Sequence, residues 1–183
     1  MNFNRHFELE GRHAPFSASQ SSWLRYDDEK LLARYSTIQA AAYGTRLHAW
    51  AKETIDLGLK QPRTKKTINM YVNDAIGFGM KTEVVLFYSK YFFGTADTIS
   101  FRNNFLRIHD LKTGEHRATR EQLMVYAALF CLEYKIRPAD IKMELRIYQN
   151  DDVDIWQPTA EEVAHIMDRI VYNTKLLDKY EEV

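Results

Sequence analysis

The chain has 183 residues, of which 45% are hydrophobic and 13% aromatic, and this composition excludes a disordered protein and fits a globular one with a substantial core. Lys plus Arg and Asp plus Glu number 25 each, so the formal net charge is zero and a strongly basic protein is excluded. The single cysteine excludes an internal disulfide and a cysteine-ligated zinc or iron–sulfur centre, and with no signal peptide and no apolar run of about 18 residues we expect a cytoplasmic protein without membrane association.

The N-terminal part of the chain predicts a loose arm followed by one domain. Residues 1–16 are polar and lack periodicity, whereas residues 17–183 carry the periodic apolar segments. Ser17 or Ser19 is placed to cap a short helix around Trp23.

A longer helix is predicted from about Thr37 to Leu57, because apolar residues recur there at helical spacing and Gly58 suits a helix end. His48 lies on its inner stripe, where a histidine is either a core residue or a functional group. The loop that follows is either an ordinary solvated loop or a phosphate-binding patch. The cations of this loop are Lys60, Arg63, Lys65 and Lys66. Residues 67–79 predict a short helix.

Three strands are predicted next, over residues 82–88, 91–101 and 105–113, because these segments are rich in apolar and β-branched residues. A helix should run from about Thr119 to Tyr134. Its first turn contains Gln122 at the spacing of a capping box from Thr119. Arg117 and Arg120, just before this helix, form a second and smaller basic patch.

The last third of the chain predicts a strand over residues 141–149 and a helix from about Ala160 to Leu177. Thr159 and Glu162 have the spacing of a capping box for that helix. The acidic run at 150–154 lacks the spacing and glycine of a calcium loop and is interpreted as a solvated turn. The order of elements predicts an α/β fold with a mixed central sheet flanked by helices.

The turn between the second and third strands predicts a specific register. Asparagine tolerates positive φ, so residues 103–104 suit a two-residue type I′ turn. Ile99 would then face Ile108 on the core side of the hairpin. Further along the same face, Asp97 would oppose Asp110.

Two facing carboxylates repel each other unless a cation lies between them. Lys112, further along the same face as Asp110, supplies one positive charge. Carboxylates in this arrangement suit Mg²⁺ or Mn²⁺, which bind through one or two carboxylates and substrate phosphates. Two alternatives remain: a turn of another length would point the acids apart, or Asp110 and Lys112 form an exposed pair where the strand ends. His109 should point to the opposite face.

Four short motifs follow one another along the chain: G-x-x-x-H at 44–48, G-x-x-D at 94–97, D-x-K-T-G at 110–114 and Q-x-x-x-Y at 122–126. Together they resemble the core of a RecB-type nuclease of the PD-(D/E)XK superfamily. The resemblance covers roughly residues 17 to 150. Glu83 fits the acid that this family often carries on the preceding strand.

The resemblance implies a restriction-endonuclease-like (PD-(D/E)XK) core and a deoxyribonuclease that uses one or two Mg²⁺ or Mn²⁺ ions. It implies that the metal ligands are His48, Asp97, Asp110 and the backbone carbonyl of Leu111, with Glu83 as a further ligand. Asp110 stands where a glutamate is usual, which shortens the carboxylate arm. The cysteines that hold an iron–sulfur cluster in some relatives are missing, so no cluster is expected.

The resemblance also implies roles for three residues that do not bind metal. Lys112 would position or activate the attacking water, and Gln122 and Tyr126 would support the site or contact DNA. Gln122 could instead serve only as the capping partner of Thr119, and Tyr126 could be plain core. The two basic patches would bind the DNA backbone.

These features predict a nuclease that hydrolyses phosphodiester bonds, most simply an exonuclease in DNA replication, recombination or phage DNA processing. The alternatives are a structure- or strand-specific endonuclease, and a catalytically silent nuclease fold that binds nucleic acid or protein. DNA is the expected partner. A homo-oligomeric ring and a protein partner in DNA processing are open by analogy with relatives.

Overall fold

The computed structural model describes residues 7, 14–114 and 118–182. By its contacts the chain divides into two compact units between Thr45 and Arg46. A 3-10 helix spans Ala18–Arg25, and the first α-helix, α1, spans Asp28–Asp56.

Helix α1 begins well before the predicted Thr37. Its start is explained by Asp27, whose carboxylate accepts a hydrogen bond from the backbone N–H of Lys30 at 2.8 Å, as an N-cap does. Its end agrees with the prediction: Gly58 has a φ of +68°, and the N–H of Leu59 donates to the carbonyl of Thr54.

The unit Arg46–Val183 contains a five-stranded mixed sheet whose strands lie side by side in chain order. The strands are β1 (Lys81–Ser89), β2 (Phe92–Arg102), β3 (Phe105–Leu111), β4 (Lys142–Gln149) and β5 (Asp152–Trp156). Neighbours are antiparallel except β3 and β4, which are parallel. The predicted α/β architecture with a mixed sheet is therefore confirmed.

Helices lie on both faces of this sheet. They are α2 (Thr67–Gly77), α3 (Glu121–Glu133) and α4 (Ala160–Glu181), with a 3-10 turn at Pro138–Asp140. Helices α3 and α4 cover one face, around a core that includes Leu106, Ile108 and Leu129. Helix α2 covers the other face with Ala51 and Ile55 of α1, around Leu111 and Tyr148. None of the helices in the described ranges is long and apolar enough to cross a membrane.

Two local predictions are wrong and one is confirmed. Residues 150–154 are not a solvated turn: only Asn150 and Asp151 turn, with φ of 53° and 57°, and Asp152 begins β5. Asn150 and Asp151 form a type I′-like hairpin turn of the same kind as the turn at 103–104. Helix α3 begins at Glu121 with no side-chain cap, so the predicted Thr119 capping box is absent. The capping box at Thr159 is present, with both hydrogen bonds to Glu162 formed.

Candidate active site

The β2–β3 hairpin has the predicted turn, and the predicted register holds as far as Thr98 and His109, but the predicted pair of Asp97 and Asp110 is not part of the ladder. Asn103 and Asn104 have φ of 51° and 56°, as a type I′ turn requires. Ile99 pairs with Ile108, and the last pair of the ladder lies one step before Asp97 and Asp110. Both acids therefore lie where the paired part of the hairpin ends, at the carboxyl end of β3.

A local irregularity in β2 sets the position of Asp97. Asp97 and Glu83 both drop out of the β1–β2 ladder, and Glu83 has a φ of 47°. Ala96 and Ile99 nevertheless contact the same core, although strict alternation would place them on opposite faces. The side chains therefore change face at Asp97, and such irregularities redirect side chains next to active sites.

The Asp97 carboxylate contacts two groups. Its Oδ2 accepts a hydrogen bond from the backbone N–H of Leu111 at 3.0 Å, which ties β2 to the end of β3. The same oxygen lies 3.4 Å from Nδ1 of His48, on α1. The interaction with Asp97 raises the pKa of His48, although partial burial of the imidazole opposes the shift.

Asp110 is buried, and its carboxylate is only partly satisfied. Nζ of Lys112 lies 3.1 Å from Oδ1 and 3.0 Å from Oδ2. The angles suit a hydrogen bond to Oδ1 only, so Oδ2 accepts no hydrogen bond from the described residues. Burial, and then the charge of Asp97, raises the pKa of Asp110 to about 6, while Lys112 and His48 act in the opposite direction.

Lys112 also contacts helix α3. Its Nζ donates to Oε1 of Gln122 at 2.8 Å, and Nε2 of Gln122 donates to the hydroxyl of Tyr126 at 3.1 Å. One continuous series of hydrogen bonds thus joins the side chains of Asp110, Lys112, Gln122 and Tyr126. Gln122 has no capping role, because α3 begins at Glu121 without a side-chain cap.

Gly94 leaves space for the ring of Tyr126, the last residue of this hydrogen-bonded series. A Cβ placed on Gly94 would lie 2.8 Å from Cε1 of Tyr126, closer than two carbon atoms normally approach. The glycine and the aspartate of the G-x-x-D motif therefore contact different parts of the same site: Gly94 receives the tyrosine ring, and Asp97 contacts His48 and Leu111.

The residues at this site suit a divalent cation as a partial set of ligands. The described residues contain no group of three His, Cys, Asp or Glu side chains close enough to enclose a metal. Mg²⁺ needs only one or two carboxylates when substrate phosphates and waters complete its coordination. Asp110 fits this role, because its buried Oδ2 accepts no hydrogen bond from the described residues, has the Lys112 ammonium 3.0 Å away, and lies within the influence of the Asp97 charge.

Three other predicted ligands are placed as follows. His48 would have to lose the proton that Asp97 favours before it could bind a metal. Leu111 contacts the site through its backbone N–H, which donates to Asp97, whereas the predicted ligand was its carbonyl. Glu83 is exposed, and its charge adds to that of Asp56 in raising the pKa of Lys52.

One residue of the site was not predicted from the sequence. Oε1 of Gln149, at the end of β4, accepts a hydrogen bond from the N–H of Ala118 at 3.0 Å, and Nε2 donates to the carbonyl of Gly114. Gln149 therefore joins the chain just after Lys112 to the chain just before α3. The sequence signal for Gln149 is its position at the end of the predicted strand 141–149, and only the structure shows that this strand pairs with β3.

The predicted basic residues that the structure describes form no hydrogen bond or ion pair with Asp97, Asp110, Lys112 or Gln122. Lys60, Arg63, Lys65 and Lys66 belong to the loop between α1 and α2. Arg120 is engaged elsewhere, because its guanidinium pairs with Asp154 at 2.6 Å and covers the ring of Trp156. Arg117 lies outside the described residues.

His109 does not belong to the site, as predicted. It is fully buried on the opposite face of β3, where its ring packs against Phe78 and Tyr148. Burial, helped by the charges of Arg146 and Arg107, lowers the pKa of His109 to about 3. The imidazole is therefore a neutral part of the core.

Fold and side chains together define an α/β protein with a carboxylate–lysine cluster at the carboxyl end of a strand of its mixed sheet. No protein-family model, curated protein or solved structure matches the chain.

Proposed function

We propose that this chain is a metal-dependent deoxyribonuclease of the RecB-type, PD-(D/E)XK class, hydrolysing phosphodiester bonds in DNA. One observation carries the proposal: Lys112 and Asp110 are in contact, the buried Oδ2 of Asp110 accepts no hydrogen bond from the described residues, and Asp97 adds a second carboxylate. Lys112 supplies one positive charge against two carboxylates, so a divalent cation would supply the compensation that the second carboxylate lacks.

The arrangement of the motifs supports this assignment. Residues of two motifs, 110–114 and 122–126, contact one another through Asp110, Lys112, Gln122 and Tyr126, and Gly94 of the motif at 94–97 lies against the Tyr126 ring. His48, from the fourth motif, contacts Asp97. A mixed sheet with helices on both faces is also the architecture expected of such a nuclease.

Asp97 and Asp110 would hold the cation. When bound, a divalent cation stabilises negative charge on a phosphate undergoing substitution and makes water more acidic. Asp97 is kept in position by the N–H of Leu111, so its orientation does not depend on the cation. Asp110 is kept in position by Lys112.

Lys112 would act on the substrate. Its ammonium has three hydrogens, and in the structure two acceptors, Asp110 and Gln122, engage it. The remaining hydrogen can donate to the attacking water or to an oxygen of the scissile phosphate. A positive charge there also lowers the energy of a transition state in which the phosphate becomes more negative.

Gln122 and Tyr126 are positioning residues in this scheme. Gln122 accepts from Lys112 and donates to Tyr126, so it fixes the direction of the ammonium. The ring of Tyr126 rests in the space that Gly94 leaves.

The experiment that tests the proposal is digestion of end-labelled linear DNA beside a covalently closed circle, with Mg²⁺, Mn²⁺ or chelator. Metal-dependent hydrolysis of the linear DNA alone is the expected result and identifies an exonuclease. Hydrolysis of the circle identifies an endonuclease. Failure to hydrolyse either DNA with either metal would refute nuclease activity, and DNA binding without hydrolysis would support the silent-fold alternative.

A further inference from the structure

The loop at residues 60–66, between α1 and α2, concentrates positive charge without compensation. Lys60, Arg63, Lys65 and Lys66 form no ion pair with any described residue. Several cations elsewhere behave differently: Arg107, for example, pairs with Glu144. Because the chain as a whole has no net charge, four unpaired cations within one short loop make a local positive surface.

This loop is fixed by hydrogen bonds that involve none of its cationic side chains. Asn73 of α2 accepts from the N–H of Gln61 at 2.8 Å and donates to its carbonyl at 3.0 Å. The hydroxyl of Thr64 accepts from the side chain of Asn69 at 2.8 Å. These hydrogen bonds restrain the loop backbone, which reduces the entropy that a ligand must overcome to order it.

Two acids beside the loop already have partners: Asp74, which lines the adjoining cleft, and Asp151, which bonds Thr67. Asp74 accepts hydrogen bonds from Arg146 at 2.8 Å and from the Tyr148 hydroxyl at 2.7 Å. Asp151 accepts from the N–H and the hydroxyl of Thr67. An open cleft of about 730 Å³ lies between the loop and α2, and Lys60, Arg63 and Lys65 line it.

Hydrogen bonds connect this loop to the candidate active site along one edge of the sheet. Thr67, the residue after Lys66, bonds Asp151 in the β4–β5 turn. Gln149, just before that turn, bonds Gly114, which follows Lys112. Because β3 and β4 are parallel, their carboxyl ends lie at the same edge, so the loop and the site share it.

We propose that the 60–66 loop binds the phosphodiester backbone of the nucleic-acid strand whose scissile phosphate lies at Asp97 and Asp110. The inference rests on the proposed function and adds to it a substrate class: a polynucleotide strand that extends beyond the cleaved bond. Lysine and arginine side chains on a fixed loop recognise phosphates irrespective of base sequence.

The test compares two variants that each remove four positive charges. The loop variant is Lys60→Gln/Arg63→Gln/Lys65→Gln/Lys66→Gln. The control carries the same changes of residue type at exposed cations away from this edge, Lys142→Gln/Arg169→Gln/Lys175→Gln/Lys179→Gln. A third variant, Lys65→Gln/Lys66→Gln, gives a graded effect. Circular dichroism and thermal unfolding check that all of them fold.

Binding is measured first, by fluorescence anisotropy of labelled oligo-dT in chelator over a series of salt concentrations. The loop variant should bind roughly tenfold or more weakly, and its slope of log affinity against log salt should be shallower by about 0.7 for each lost single-strand phosphate contact. The double variant should fall between the loop variant and the wild type. The control should resemble the wild type.

Cleavage is measured second, with long single-stranded DNA and with bis-p-nitrophenyl phosphate, a small phosphodiester. The loop variant should show a raised KM for DNA, an unchanged kcat, and an unchanged rate on the small diester. Affinity and salt slope equal to the wild type, or equal losses in the control, would overturn the inference. Cleavage that persists while the loop variant binds normally would leave the proposed function standing without it. Binding that depends on the loop, without any cleavage, would support the inference about the loop and refute the proposed nuclease activity.

Discussion

Gly94 lies against the ring of Tyr126 so closely that no larger residue fits without movement. A Cβ on Gly94 would lie 2.8 Å from Cε1 of the tyrosine. Since Tyr126 belongs to the hydrogen-bonded chain that ends at Asp110, a glycine in β2 helps to position a lysine after β3.

Gly94→Ala should therefore destabilise the protein by about 1–3 kcal/mol, the usual cost of overpacking. Chemical denaturation measures the free energy of unfolding. Gly77→Ala is the matched control, because nothing lies within 4 Å of a Cβ placed there. Combining Gly94→Ala with Tyr126→Leu should cost less than the sum of the single changes. Strict additivity would show that the ring is not what the new methyl group meets.

Asp110→Asn should abolish metal-dependent cleavage, by several orders of magnitude, because it removes a negative charge from the proposed cation site at almost unchanged volume. In chelator the variant should be as stable as the wild type or more stable, since the change relieves repulsion by Asp97 and the burial of a charge. Asp168→Asn, on the exposed face of α4, is the control. A variant that cleaves normally, or unfolds well below the wild type in chelator, would contradict this assignment of Asp110.

The same carboxyl group predicts a pH dependence of stability in chelator. The pKa of Asp110 is raised to about 6 in the folded protein, above the value near 3.9 in an unfolded chain. The folded state thus binds the carboxyl proton of Asp110 more tightly than the unfolded state does. The stability that this protonation adds to the folded state is complete below pH ~3.9 and is lost as pH rises through about 6. The free energy of unfolding of Asp110→Asn, relative to that of the wild type, should rise by roughly 1–3 kcal/mol over that interval. Parallel stability curves for the two proteins from pH 4 to 7 would rule this out.

Gln122→Ala should lower kcat by roughly 10- to 100-fold, because hydrogen bonds to charged groups contribute about 1.5–3 kcal/mol and Lys112 would lose one of its two acceptors. KM for DNA should change little, since Gln122 acts through Lys112. Gln122→Glu keeps an acceptor oxygen for the ammonium and should restore much of kcat. If both variants lose activity equally, the contact with Lys112 is not what matters.

The β2–β3 hairpin and the carboxyl end of α1 could be predicted because local chemistry determines them. Asn103 and Asn104 favour a turn that fixes the register by itself, and Gly58 ends α1 in the same local way. The turn at Asn150 and Asp151 has equivalent chemistry. Its neighbouring acids, however, favour a solvated turn over the whole of 150–154, so the sequence does not predict β5.

The contacts of Gln149 could not be predicted from local sequence. They arise because β4 pairs in parallel with β3, and that pairing depends on how α3 crosses between the two strands. Helix α3 begins at Glu121 and not at the predicted Thr119. The sequence leaves both predicted roles of Gln122 open, because a capping box and a support of the site need the same side chain, and only tertiary packing decides between them.

Gln149 provides the last prediction, because it fastens both ends of the segment between β3 and α3. Its amide accepts from the N–H of Ala118 at 3.0 Å and donates to the carbonyl of Gly114. Gln149→Leu removes both bonds at similar volume, so Lys112 and Gln122 should keep their partners less firmly and kcat should fall, whereas the sheet should remain intact. The specific measurement is hydrogen exchange of the Ala118 amide, which should become faster in the variant while amides of β4 stay protected. Gln149→Glu retains only the acceptor and should protect Ala118 without restoring the bond to Gly114. Unchanged exchange at Ala118 in Gln149→Leu would show that the segment is held by other contacts.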